Sequence, residues 1–164
     1  MRKKNGHKKT IFWLILLVLV FLVVVYFRGA LGPRQQNEQQ ATALAEKYAH
    51  ITKKTDYYEY QRGNSGYHTV VGQNKQGEKL YAVVSNNNRK INVLSADKGV
   101  SAKQAQDAVV SKRKPKKVLN VGLGMDKKGK KPLWEVTYLN QKGNLCYTLL
   151  SFKDGVVTKE IQNL

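Results

Sequence analysis

Cysteine is nearly absent: the 164 residues contain one, Cys146. A single thiol forms no internal disulfide, so packing alone must hold the fold together. Proline and histidine are also scarce, with three of each, and 11 acidic residues stand against 29 Lys and Arg. The motifs of metal and nucleotide chemistry are missing too, since no HExxH, CxxC or Asp-rich calcium loop occurs. The glycine string from Gly122 to Lys131 lacks a GKS or GKT ending and leads into a strand, so it reads as a hairpin loop. The acids lie singly, mostly beside lysines, and offer no carboxylate pair for hydrolysis. A Cys146–His68 pair can be drawn, but no local motif supports it, and Cys146 reads as a strand residue. The pattern points to a protein that is not an enzyme and needs no metal or cofactor.

What the sequence does have begins with one long apolar run. Ile11 to Phe27 is 17 consecutive apolar residues. As a helix they span roughly 25 Å, the short end of what crosses a bilayer. Arg28-Gly29-Ala30 after the run does not make a small-x-small cleavage site, and no Cys follows to carry a lipid. The run therefore reads as an uncleaved anchor. Arg2, Lys3, Lys4, Lys8 and Lys9 precede it, while Arg28 and Arg34 lie close behind. Positive-inside reasoning places the N-terminus in the cytoplasm and residues 28–164 outside the cell membrane.

The boundaries follow as a basic tail over 1–10, a span over 11–27 and a linker over 28–37, with Gly32-Pro33 expected to stop the helix. Two units come next, 38–97 and 98–164. Ala41, Leu44, Ala45, Tyr48 and Ile51 recur at helical spacing. Alternating β-rich runs follow at 56–61, 67–73, 79–85 and 89–95, separated by Gly- and Asn-rich turns. Ser101 with Gln104 has the spacing of a capping box, and Ala102, Ala105, Ala108 and Val109 line one helical face that Pro115 ends. Further strands are expected at 117–122, 133–139, 145–152 and 156–161. Residues 67–85 overlay 133–151 without a gap, matching Val70 with Val136, Asn74 with Asn140, Gly77 with Gly143 and Tyr81 with Tyr147. The reading is a duplicated α+β unit, one helix on a curled antiparallel sheet. Each half is marginal alone, and a groove between halves is a further expectation.

Two basic clusters stand out. Lys112, Arg113, Lys114, Lys116 and Lys117 form a possible polyanion or partner contact, and Lys127, Lys128, Lys130 and Lys131 form a second cluster. An outward-facing domain argues against nucleic acid. Anionic headgroups, anionic wall polymers or an acidic patch on another membrane protein fit better, as does a merely solubilising surface. Trp134, Val136 and Tyr138 share a strand face that reads as core, whereas Tyr57, Tyr58 and Tyr60 have the half-polar character of a recognition surface.

A short basic tail, one span and two helix-plus-sheet units, the second reading PLWEVTY and GNLCYTLLSFKDGVV, resemble the TseB-like (YpmB-like) cell-wall elongation regulators of Gram-positive bacteria. Trp134, Gly143 and Lys153-Asp154-Gly155 also look like the related PepSY-type module. The resemblance implies tandem cystatin-like units and a non-enzymatic regulator or adaptor of peptidoglycan elongation. It also implies an outer domain that contacts a class B penicillin-binding protein. Binding of teichoic acid or a similar polyanion, and PepSY-like modulation of a protease, are the alternatives.

Overall fold

The apolar run has no period-two alternation and no turn residues. In the computed structural model, which describes residues 6–162, it lies within one helix, α1, Gly6–Ala49. The chain divides into two compact parts, Met1–Gln36 and Asn37–Leu164. In the first, every side chain from Ile11 to Phe27 is exposed. This helix is long and apolar enough, by length and composition, to cross a membrane. One expectation fails here. Gly32-Pro33 does not end the helix: Pro33 sits inside α1, and residues 28–37, expected as a linker, are helical. Proline removes one N–H donor and crowds one carbonyl, a local penalty. The Gln, Glu and Ala that follow are good helix formers, and the helix continues to Ala49. His50, with φ 55, takes the left-handed conformation that ends it.

The second part holds the last turns of α1 and two four-stranded antiparallel sheets. The first sheet runs in order β1 (Lys53–Arg62), β2 (Ser65–Gln73), β3 (Lys79–Ser85) and β4 (Ile91–Ser95). A 3-10 turn at Ala96–Lys98 leads to α2 (Ala102–Arg113). The second sheet is β5 (Lys117–Met125), β6 (Pro132–Leu139), β7 (Leu145–Ser151) and β8 (Val157–Ile161), again in sequence order. The α+β class and all eight expected strands are present, with shifted ends. The capping box is also present: Gln104 N–H donates to Ser101 Oγ at 3.2 Å, and Ser101 N–H donates to Gln104 Oε1 at 2.8 Å.

The central hairpins share one register. Tyr67 pairs with Ser85 and Val70 with Ala82; 66 residues on, Leu133 pairs with Ser151 and Val136 with Thr148. Their turns use the same device. Asn74 Oδ1 accepts from the N–H groups of Gln76 and Glu78, and Asn140 Oδ1 from those of Lys142 and Asn144. Gly77 and Gly143 close the turns at φ 81 and 86, where a side chain would be strained.

Period two gives each sheet two faces. Val70, Ala82 and Val84 of the first sheet pack on Ala41, Ala45 and Ala49 of α1. This i+4 row of small residues lets the helix sit close to the strands. Tyr48, expected on that face, is 52% exposed, because Ala49 continues the row. The Lys47 ammonium lies 5.1 Å from its ring centre.

The opposite face of the first sheet, with Val71, Tyr81 and Val83, joins the larger core. There it meets Ala105 and Val109 of α2, and Leu123, Trp134, Val136 and Leu150 of the second sheet. Trp134 is fully buried. Tyr58 and Tyr81 meet its ring edge-on at 5.5 and 5.8 Å, and its Nε1 donates to Val100 O at 2.8 Å. The Trp134 face is therefore core, as its spacing suggested. The tyrosine recognition surface is not formed. Tyr58 and Tyr60 alternate inward on β1, Tyr60 is buried, and burial pushes the Tyr58 hydroxyl above the usual phenol range. The two sheets touch through β5. A Cβ at Gly122 would stand 2.5 Å from Glu59 O, and Thr69 Oγ donates to Leu123 O at 2.7 Å.

Candidate functional site

The first basic cluster lies where α2 passes to β5. Lys112 and Arg113 occupy the last turn of α2, where positive charge favours the helix C-terminus. Lys114, with φ 45, caps the helix, and its N–H donates to Val110 O at 3.0 Å. Lys116 N–H donates to Leu139 O at 2.9 Å, and Gln141 Nε2 donates to Lys114 O at 2.6 Å. The backbone of the cluster is thus fixed while all five side chains are exposed. They are not equivalent. Arg113 forks onto Glu160 of β8, with Nε donating to Oε1 at 3.0 Å and Nη2 to Oε2. Glu160 takes up its charge, and among the described residues Lys112, Lys114, Lys116 and Lys117 stand in no ion pair.

The second cluster is the β5–β6 turn. Asp126 Oδ1 accepts from the N–H groups of Lys130 at 2.7 Å and Lys131 at 3.2 Å. Those backbone bonds hold its carboxyl below the usual range. Beside this turn lies a groove of about 490 Å³. Tyr60 and Arg62 of β1 form one wall, Leu133 and Leu149 of the second sheet line it, and Lys127, Lys128, Lys131 and Lys159 rim it. This is the groove between halves that the paired architecture suggested.

Arg62 and Glu135 face each other across that junction at 3.7 Å. Glu135 is 5% exposed, and burial raises its carboxyl above the usual range while the guanidinium pulls it down. Arg62 Nη1 is buried and has no hydrogen-bond partner. A long, imperfect ion pair with an unfilled buried donor costs the junction stability.

The sequence located both basic clusters but missed Arg62 and Glu135. These residues meet only because two strands from different sheets cross, and no local pattern encodes that. The alternation Leu133, Glu135, Thr137, Leu139 was the available signal of a half-polar face.

The remaining candidates are not brought together. Cys146 is buried in β7. His68 lies in β2, on the α1 side of the other sheet, where its Nδ1 is 2.7 Å from Tyr57 Oη. Burial lowers the His68 pKa. His50 is the left-handed residue after α1. Among the described residues no three His, Cys, Asp or Glu side chains gather as metal ligands.

Residues 40–85 match the family model of the cell wall elongation regulator TseB-like domain. A Bacillus subtilis (strain 168) protein described as "probable cell wall elongation regulator TseB" is 28% identical over 167 residues, covering 98% of this chain and 99% of that protein. The solved structure of the YpmB protein from Bacillus subtilis superposes with a TM-score of 0.63 at 28% identity, over 76% of this chain and 95% of that one. The likeness spans nearly the whole sequence as well as the fold, and the chain is similar throughout to TseB-like (YpmB-like) proteins.

Proposed function

We propose that this protein is a single-pass, membrane-anchored, non-enzymatic regulator of peptidoglycan elongation whose extracytoplasmic domain binds a class B penicillin-binding protein. The observation that carries the reading is the pairing of an all-round apolar helix over 11–27 with a folded domain whose reactive side chains stand apart. A relative described as a regulator of cell wall elongation supplies the process. Residues 1–10 form the cytoplasmic tail, 11–27 the span and 28–37 a tether that is itself helical. Residues 38–97 and 98–164 form tandem cystatin-like, PepSY-type units. The shared hairpin register and the matching Asn–Gly turns support a duplication. Anchoring confines the domain near membrane-bound partners, so a weak contact suffices at high local concentration.

In-cell chemical crosslinking of the full-length protein tests this reading. The expected result is recovery of a class B penicillin-binding protein. Recovery of no wall-synthesis protein, under conditions that trap known complexes, overturns it.

A second reading rests on the exposed lysines 112, 114, 116 and 117. They hold an anionic wall polymer such as teichoic acid. Replacing these four with Gln then abolishes retention on the polymer and flattens its salt dependence. Unchanged retention removes this reading.

A further inference from the structure

The two sheets are not covered alike. In the first, the face opposite α1 carries Val71, Tyr81 and Val83, all 2% exposed or less. The matching positions in the second sheet are Thr137, Tyr147 and Leu149, on the face opposite Trp134. Leu149 is buried at the groove, but Tyr147 is only half-buried. The same holds for its neighbours on that face: Leu139 and Leu145, which pair with each other, and Ile161, which pairs with Tyr147.

Charge frames this face at both ends. Lys117 pairs with Leu139 at one end, and Lys127, Lys128, Lys131 and Lys159 rim the groove at the other. None of these lysines takes part in an ion pair among the described residues, unlike Lys54, Arg62, Lys103 and Arg113.

We propose that this face of the second sheet is a docking surface for an extended, acidic segment of a partner protein. Its apolar residues cover Leu139, Leu145, Tyr147 and Ile161, and its carboxylates meet the lysines at both ends. The charge selects the occupant. A second copy of a +18 chain would set lysine against lysine. A polyanion would satisfy the lysines and leave the leucines wet. The eight residues of β6 extend over roughly 27 Å, so an extended segment of about eight residues bridges the two basic ends. The proposal deepens the regulator reading by naming its contact surface, and rests on that reading only for the partner's identity.

The test is site-specific photo-crosslinking of the full-length protein in intact cells. Benzoylphenylalanine replaces Tyr147, with Leu145 as a second attachment point should the first variant fail to accumulate. Tyr48, exposed on α1, is the control position. The expected result is an adduct from the second sheet whose linked peptide carries Asp or Glu among apolar residues, with little or none from Tyr48. Lys128→Glu combined with Lys131→Glu lowers its yield about tenfold. A self-adduct, a lipid or polymer adduct, equal yields from Tyr48, a yield indifferent to charge reversal, or no adduct from either sheet position overturns the proposal. The two readings separate cleanly. A penicillin-binding protein caught from Tyr48 alone sinks this surface and leaves the regulator reading standing. An acidic segment of a protein outside wall synthesis, caught from Tyr147, does the reverse.

Discussion

The first sheet is enclosed and the second is half open, although their central hairpins share a register and a turn design. Tyr81 and Tyr147 occupy matching positions, yet one meets Trp134 and Phe152 edge-on at 5.8 and 5.7 Å while the other is only half-buried. Local sequence set the strands, turns and alternation alike in both. Burial was decided by what arrived on each face. The first sheet received a helix on one side and the second sheet with α2 on the other. The second received the first sheet and α2 on its Trp134 face, and only the edge strand β1 across its far face.

The largest expected effect breaks this comparison if it fails. Tyr81→Ala destabilises by about 3–5 kcal/mol, as deletion of a buried aromatic ring does, while Tyr147→Ala costs about 1 kcal/mol or less. Thermal unfolding of both variants in mild detergent checks the difference, and equal losses mean the second face is covered after all. Next comes the contact between sheets. Gly122→Ala forces a Cβ toward Glu59 O, and the backbone shift costs about 1–3 kcal/mol. Hydrogen exchange of β1 and β5 should rise together in this variant.

A smaller effect sharpens the contrast between the two helices. α2 starts afresh with a capping box, so Ser101→Ala costs about 1 kcal/mol. The part of α1 on the first sheet continues from preceding helical turns and needs no such cap. The smallest effect is the pH dependence of the Arg62–Glu135 junction. Burial raises Glu135 above its unfolded value of about 4.3. Its contribution to stability is therefore complete below that value and is lost as pH rises through the folded pKa. Glu135→Gln should gain on the wild type as pH increases across that window. Asp126 behaves oppositely: its lowered pKa makes its contribution present above the unfolded value and lost in acid. Unfolding measured between pH 3 and 8 checks both signs.

Much of the fold was legible because it is written in short-range pattern. The strands followed from alternation, α2 from Ser101 and Gln104, and the hairpin turns from Asn and Gly at fixed offsets. The helix through Pro33 was misread because proline marks a break only on average, and the residues after it favour helix. Tyr48 was misplaced because helical spacing gives a stripe but not which edge of it faces the sheet. The basic clusters were visible as composition. Their inequality was not, since Arg113 meets Glu160 at a sequence separation of 47. The groove was illegible for the same reason: Arg62, Leu133 and Lys159 are neighbours only after two sheets have crossed.

Cys146 is 1% exposed, its sulfur 3.7 Å from Asn144 O, and the sequence holds no other thiol. The protein thereby carries its own reporter of integrity. A maleimide reacts only with molecules whose second sheet has opened, so labelling kinetics count the unfolded fraction. The same burial keeps the one native thiol out of reach, and cysteines introduced singly along the open face would each be labelled without background from it.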